Sequence, residues 1–422
     1  MSKPESAQRA VLVGYIARAR ELAECERSLD ELARLLDTAG GEAALRVIQQ
    51  RPTVDPATVI GSGKVAEIGE LCRTHGISLV VFDMELSPSQ IRNLEDGMGA
   101  DILVLDRSML ILDIFALHAT SGEGKLQIEL AQLRYTAPRL TGHGKELSRL
   151  GGTIGTRGPG ESKLEEDRRH IRRRIVALEE QIAEMERNRA TMRAARDRSG
   201  IPRVAIVGYT NAGKSTLLNL LTDAGVVSED KLFATLDPTT RRLTLPEGED
   251  VLLTDTVGFI RKLPHHLIKA FHSTLEEAAL ADILLIVVDA SDPEHEEQLA
   301  VTYETLNTLG AAGKPTLLVY NKCDALPEEV DLSLAEREDS VFFSAKAGYG
   351  KERLFSKLLS LVRSGKKKYT LFIPYDKSGE VNGIYRVGTV ESTEYLPDCI
   401  KVVAVLDAKG SGMYRDYIKT LD

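Results

Sequence analysis

Val204-Ala205-Ile206-Val207 runs directly into Gly208-Tyr209-Thr210-Asn211-Ala212-Gly213-Lys214-Ser215 and on into Thr216-Leu217-Leu218-Asn219-Leu220-Leu221. A buried-strand run, a glycine loop, a Lys-Ser pair and a helical pattern stand in the order a phosphate loop requires. Gly208 and Gly213 let backbone N–H groups turn inward as an anion nest. Lys214 has the reach for β- and γ-phosphates, and the Ser215 hydroxyl suits Mg²⁺. A mere glycine turn into a helix leaves the Lys-Ser pair unexplained.

The loop does not choose the base. Asn321-Lys322-Cys323-Asp324, after the strand pattern Thr316–Tyr320, does. A carboxylate at Asp324 can accept from guanine N1 and N2, whereas adenine offers no such donor pair. Ser344-Ala345-Lys346 follows the apolar Val341-Phe342-Phe343 and fits the last element of such a site, with backbone N–H groups toward guanine O6. Asp255-Thr256-Val257-Gly258 ends another strand run, Val251–Leu253. Asp255 is expected to hold Mg²⁺ through water, and the Gly258 N–H to sense the γ-phosphate.

Between the loop and Asp255 lies Phe233-Ala234-Thr235-Leu236-Asp237-Pro238-Thr239. One threonine here closes over the metal; Thr235 is preferred, although position alone does not separate it from Thr239 or Thr240. Phe259 stands where many GTPases carry a water-orienting glutamine. Phenylalanine cannot hydrogen-bond water, so either slow intrinsic turnover with help from a partner, or simple packing of Phe259 below the loop, accounts for it. Asn211 is a candidate for holding K⁺ beside the phosphates, or for stabilising the loop.

Around this unit the rhythm is also α/β. Ala10–Ala17, Ala43–Ile48, Ser78–Phe82 and Ile102–Leu105 read as strands. Helices are expected over Ser28–Ala39, capped by Ser28, and over Val65–His75, with another opening at Ser87-Pro88. From Leu126 the apolar spacing becomes four and three through Leu130, Leu133, Ala137 and Leu140, with Pro138 kinking or ending the helix. A second seam runs through Ile171, Ile175, Leu178, Ile182 and Met185, so an antiparallel helical pair is expected. Five of the ten residues Gly151–Gly160 between them are glycine. Beyond the linker Ser364–Lys368, short strands (Leu371–Ile373, Tyr385–Val390, Ile400–Leu406) and a helix after Gly412 are expected.

Length and composition fit this plan. The 422 residues exceed one ordinary core, and 43 % hydrophobic with 28 % charged residues is a soluble globular composition. No apolar run nears the roughly 18 residues of a membrane helix. Four scattered cysteines fit a reducing compartment, so the cytoplasm is the expected location; a monomer is also expected. The net charge is −9, yet Arg139–Arg198 carries 15 Lys/Arg against 10 Asp/Glu, a local excess of five. The eight histidines show no metal spacing. Gly61-Ser62-Gly63-Lys64 lacks the full phosphate-loop spacing and reads as a structural turn.

The nucleotide motifs are similar to those of translation-factor-related GTPases. Gly151-Gly152-Thr153-Ile154-Gly155-Thr156-Arg157-Gly158-Pro159-Gly160-Glu161, with Glu165 and Asp167-Arg168-Arg169, narrows the likeness. Together with Phe233–Thr239, Asp255–Ile260, Ile60–Lys64, Leu86–Gln90 and Arg107–Phe115, the chain resembles the HflX family over about residues 10–365. The resemblance implies a multidomain α/β protein: an N-terminal α/β domain (1–125), a helical arm with a glycine-rich tip (126–198), a P-loop GTPase domain (199–365) and a small C-terminal α+β domain (366–422). It further implies GTP and GDP as ligands, Thr235 as a metal ligand, and a hydrophobic residue at Phe259. It also implies binding to the large ribosomal subunit, with ribosomal RNA near the peptidyl-transferase centre, and ribosome splitting in stress. Arg157 is the expected RNA contact at the tip. A GTP-dependent regulator that docks on a protein through the arm is the competing expectation.

Overall fold

The computed structural model describes residues 8–99, 101–138, 159–197, 201–222, 232–233, 236–262, 264, 272–327, 336–364, 367–406 and 408–418. The tip residues Gly151–Gly158, with Arg157, and also Ala234 and Thr235, lie outside them. The chain divides into two compact units. One gathers residues 1–184, 229–237 and 260–274, and the other 185–228, 238–259 and 275–422.

The first unit is built on β1 (Gln8–Ile16), α1 (Leu22–Thr38), β2 (Gly41–Gln50), α2 (Ser62–His75), β3 (Leu79–Phe82), α3 (Pro88–Met98), β4 (Leu103–Asp106), α4 (Arg107–His118) and α5 (Gly122–Thr136). Its sheet has the order β2-β1-β3-β4, parallel throughout. β3 reads Leu-Val-Val-Phe and is buried at all four positions, as expected of a strand covered on both faces. Pro88 is the first residue of α3, under a Ser87 side chain that accepts from the Gln90 N–H, as the sequence leads one to expect.

Two helices differ from the sequence reading. Ser28 is not a cap: α1 starts at Leu22, and Ser28 is buried inside it. The seam Cys25, Leu29, Leu32, Leu36 continues the helical spacing upstream and overrides the local capping preference of serine. Helix α4 has no counterpart in the apolar periodicity. Leu110, Ile111, Leu112, Ile114 and Phe115 are all buried, so it is apolar nearly all round and shows no stripe. α5 starts at Gly122 and ends before Pro138, with Ala137 as its C-cap. α6 (Pro159–Asp197) is tied to α5 by the pairs Arg174–Glu129 at 2.7 Å and Arg134–Glu179 at 2.6 Å.

A buried charge cluster holds the first unit together. Arg107, only 1 % exposed, donates to Glu31 at 2.5 Å, to Asp83 at 2.8 Å and to the carbonyl of Arg261 at 3.0 Å. Lys262 reaches the other Asp83 oxygen at 2.6 Å. Truncating Arg107 takes the guanidinium from two buried carboxylates, Glu31 and Asp83. Arg107→Ala is therefore expected to cost about 3 kcal/mol of stability, read as a lower denaturant midpoint at unchanged slope. An undiminished midpoint would show that water repairs the cluster.

The second unit contains β5 (Arg203–Gly208), α7 (Lys214–Thr222), β6 (Thr239–Thr244), β7 (Asp250–Asp255), β8 (Ile283–Asp289), α9 (His295–Thr308), β9 (Thr316–Asn321), β10 (Ser340–Phe342) and α10 (Lys351–Ser364), while α8 (His272–Leu280) crosses the division between the units. The sheet order is β10-β9-β8-β5-β7-β6, and only β6 runs antiparallel to its neighbour. Val204, Ile206, Leu285, Val319 and Phe343 lie in its core. β5 sits centrally, so its C-terminal end opens where the strand order reverses, the usual ligand position in such sheets. The chain continues through β11 (Lys367–Pro374), α11 (Gly379–Val387), β12 (Gly388–Tyr395), β13 (Cys399–Leu406) and α12 (Ala408–Met413), with an antiparallel β11-β13-β12 sheet. Here the strand expected over Tyr385–Val390 is divided: Tyr385 to Val387 end α11, and only Gly388 to Val390 are strand, opening β12. Val381, Ile384 and Val387 recur at threes and pack on Leu371 and Val402. The last α-helix lies around Gly412, not after it.

Candidate functional site

Gly208 ends β5 with φ of 142°, and a Cβ there would stand 2.2 Å from the Val287 carbonyl oxygen. Only glycine permits both the backbone and this approach to β8. Asn211 follows at φ 62°, a left-handed conformation asparagine tolerates better than most residues, so the loop itself gives a reason for asparagine here. Tyr209, Thr210 and Ala212 are buried. The Thr210 hydroxyl has no hydrogen-bond partner among the described residues.

Lys214 opens α7 with its side chain buried and its ammonium donating to the Tyr209 carbonyl at 2.7 Å. Burial pulls its pKa down to about 8, against a smaller upward pull from Asp255. Ser215 Oγ donates to Asp255 Oδ2 at 2.6 Å. The sequence places these two residues forty positions apart; parallel pairing of β5 with β7 brings them together. A hydroxyl and a carboxylate are hard oxygen donors of the type Mg²⁺ takes. Thr256 turns inward, its hydroxyl on the Ile206 carbonyl at 2.7 Å, and Val257 is buried beside it. At Gly258 a Cβ would lie 2.8 Å from Lys214 Nζ and 2.7 Å from Thr210 Cγ2, so this glycine backbone rests directly on the phosphate loop. Phe259 is 1 % exposed and pairs its backbone with the loop: Thr210 N–H donates to its carbonyl at 2.8 Å, and its own N–H to Gly208 at 3.0 Å. It packs.

The base-side motifs converge on one amide. Asn321 donates to the Ala212 carbonyl at 2.8 Å and accepts from the Ala345 N–H at 3.0 Å. A Cβ on Gly213, whose φ is 93°, would fall 2.2 Å from Asn321 Nδ2. One side chain thus locks phosphate loop, β9 end and Ser344–Lys346 loop together. The motif's spacing does not announce this, although an amide is the side chain that donates and accepts at once. Lys322 turns at φ 59° and ties its ammonium to Asp289 at 2.6 Å. Cys323 is buried, its thiol pKa raised by desolvation, and its N–H donates to Phe343 at 3.2 Å. Asp324 follows, exposed. Ser344 is buried with its hydroxyl accepting from Ala347 N–H, Ala345 is buried, and Lys346 is exposed.

Phe233, Leu236 and Asp237 are gathered elsewhere. They belong to the first unit, where Phe233 and Leu236 are buried and the Asp237 carboxylate sits on Thr120 and Ser121. The contacts these three make in the structure lie within that unit.

Three family models match: one described as GTP-binding GTPase N-terminal over residues 26–116, one as GTP-binding GTPase Middle Region over 118–196, and one as 50S ribosome-binding GTPase over 203–322. The GTPase HflX of Lacrimispora saccharolytica is 49 % identical over 405 residues, 96 % of this chain and 95 % of that protein. The GTPase HflX of Escherichia coli is 41 % identical over 391 residues, 92 % and 90 % of the two chains. A crystal structure of a GTP-binding protein from Sulfolobus solfataricus with GDP is similar at 26 % identity, covering 85 % of this chain and 99 % of that one, with a TM-score of 0.44. Among the described residues no helix is long and apolar enough to cross a membrane. With its nucleotide loops assembled as above, the chain is a GTP hydrolase and belongs to the HflX family of GTPases.

Proposed function

We propose that this GTPase is a ribosome-linked switch: it engages the large ribosomal subunit in its GTP state, contacts ribosomal RNA near the peptidyl-transferase centre through the tip of its arm, and splits or rescues ribosomes under stress. The observation that carries the reading is the joined nucleotide site with Phe259 buried where a water-orienting side chain could have stood. Such a site binds well and turns over slowly until a partner completes it. The match to a family model described as 50S ribosome-binding GTPase and the local cationic excess of residues 139–198 point to the partner. The division into 1–125, 126–198, 199–365 and 366–422 follows from the same reading, as does a monomer in the cytoplasm.

In this scheme the Gly208–Ser215 loop wraps the phosphates and Lys214 neutralises them. Ser215 and Thr235 would hold Mg²⁺, with Asp255 supporting them. The ion would supply neutralisation of phosphate charge. The Gly258 N–H meets the γ-phosphate, Asp324 pairs with guanine N1 and N2, and Ser344-Ala345-Lys346 present backbone N–H to O6.

The deciding experiment is a sucrose-gradient profile of ribosomes with the chain and a non-hydrolysable GTP analogue. Co-migration with large subunits is expected, and its loss on Arg157→Glu combined with tip Gly→Ala changes. No co-migration, or binding indifferent to those changes, overturns the reading and favours a protein partner. Asn211 is further proposed to help hold K⁺ beside the phosphates. GTP turnover is then expected to fall several-fold when Na⁺ replaces K⁺, and equal rates dispose of the idea.

A further inference from the structure

Asp237 lies just before β6, and both its carboxylate oxygens are engaged at the start of α5. Oδ2 accepts from Thr120 N–H at 3.0 Å, Thr120 Oγ1 at 2.7 Å and Ser121 N–H at 2.7 Å, while Oδ1 accepts from Ser121 Oγ. Ser121 is meanwhile the N-cap of α5, accepting from Gly124 N–H at 2.9 Å. A Cβ on Gly124 would stand 2.9 Å from both Asp237 Oδ1 and Ser121 Oγ. The first turn of α5 therefore carries glycine where the carboxylate needs room, although alanine would favour a helix there. At the other end of the stretch, Phe233, with φ of 58°, packs edge-on against Phe115 of α4 at 4.6 Å. Partial burial works against a charged Asp237, but the donors of Ser121 and Thr120 outweigh it and hold the carboxyl below its ordinary range.

We propose that Asp237 is a positioning residue for GTP hydrolysis: by completing the N-terminal cap of α5 it fixes the stretch before β6 to the first helix of the arm, so that the nucleotide-responsive stretch and the arm are set together. The inference rests on the proposed assignment of Thr235, inside that stretch, to the nucleotide's Mg²⁺. An anionic cap acceptor with four donors is the strongest kind of local tie available to a short chain segment. The arm helix begins at the residue after Ser121, so there is no flexible spacer between the tie and the arm.

The test uses full-length protein. Asp237→Asn is expected to slow GTP turnover about tenfold while GDP affinity stays within about threefold, because a charge-assisted cap is lost rather than a phosphate contact. Hydrogen exchange of the Thr120 and Ser121 amides, which donate to this carboxylate, should accelerate about tenfold or more. Thr120→Val, a milder change that keeps shape, gives a smaller loss in the same direction, and the double variant is no slower than Asp237→Asn alone. Gly124→Ala slows turnover despite its helix preference. Turnover unchanged while exchange accelerates would make Asp237 a structural cap only, and losses that multiply in the double variant would show that the two residues do not share one tie; either result overturns the inference. Failure of the unaltered chain to bind GDP would instead strike at the nucleotide-site reading.

Discussion

Replacing Lys214 by methionine is expected to lower GTP and GDP affinity about a thousandfold while leaving the nucleotide-free fold at least as stable. Losing one buried, hydrogen-bonded charge opposite two phosphates costs about 4 kcal/mol, and each 1.4 kcal/mol is tenfold in Kd. The free protein does not share that loss. Burial already depresses the Lys214 pKa to about 8, so an uncharged side chain of similar reach relieves a desolvation cost. The sign for pH follows. Between about 8 and the ordinary 10.5 Lys214 holds fewer protons in the folded, nucleotide-free chain than in the unfolded one, so its own contribution to stability rises with pH across that window. Phosphates favour the ammonium, so binding takes up a proton above pH 8, and GTP affinity falls by up to about tenfold per pH unit there. In Lys214→Met the Lys214 share of both slopes vanishes. Denaturant unfolding across pH 7 to about 9.5 measures the stability slope and isothermal titration the binding slope, and a variant whose slopes match those of the unaltered chain would show that another group titrates.

What the sequence discloses depends on how many residue types can perform a task. A Cβ on Gly208 would stand 2.2 Å from a backbone carbonyl oxygen and one on Gly213 2.2 Å from a side-chain amide, and nothing but glycine fits, so these positions stand out in the chain. Lys214, Ser215, Asp255 and Asp324 are chosen by charge and hydrogen-bond capacity, and they too are legible. The strand rhythm of both large sheets is equally plain, because β3 is buried along its whole length and β5 and β8 at all but one end residue each. Legibility fails where the partner is distant or the pattern is degenerate. Asp237 looks like another residue of a nucleotide motif, while its partners Thr120 and Ser121 lie more than a hundred positions earlier. Helix α4 hides because burial on all sides erases periodicity, and the end of α11 because Tyr385 and Val387 alternate as a strand would and run straight into β12. Ser28 misleads because its capping preference is local, whereas the seam that decides α1 extends on both sides of it.

Asp324→Asn is expected to weaken GTP about a thousandfold and to transfer preference to xanthosine triphosphate. The carboxylate follows Lys322, whose left-handed turn and tie to Asp289 at 2.6 Å set the direction of the short helical turn Cys323–Ala325. Buried Cys323, with its N–H on the Phe343 carbonyl, fixes the base of that turn, so the substitution changes an exposed end group and not the scaffold. Guanine offers N1–H and N2–H₂ to a double acceptor. An amide meets one of these donors with a donor of its own, which costs a hydrogen bond to a charged group and leaves a polar atom unmatched. Xanthine carries an oxygen at that position, and the asparagine N–H₂ then finds an acceptor. Rejection of this size is what sites built on hydrogen bonds to their ligand achieve. Asn321 supplies the internal control, since Asn321→Ala cuts the loop-to-loop tie and should weaken guanine and xanthine nucleotides alike. Competition of GTP and xanthosine triphosphate against labelled GDP reads both variants. If Asp324→Asn leaves GTP affinity intact, base recognition lies elsewhere; if it weakens every nucleotide equally, Asp324 shapes the pocket and does not read the base.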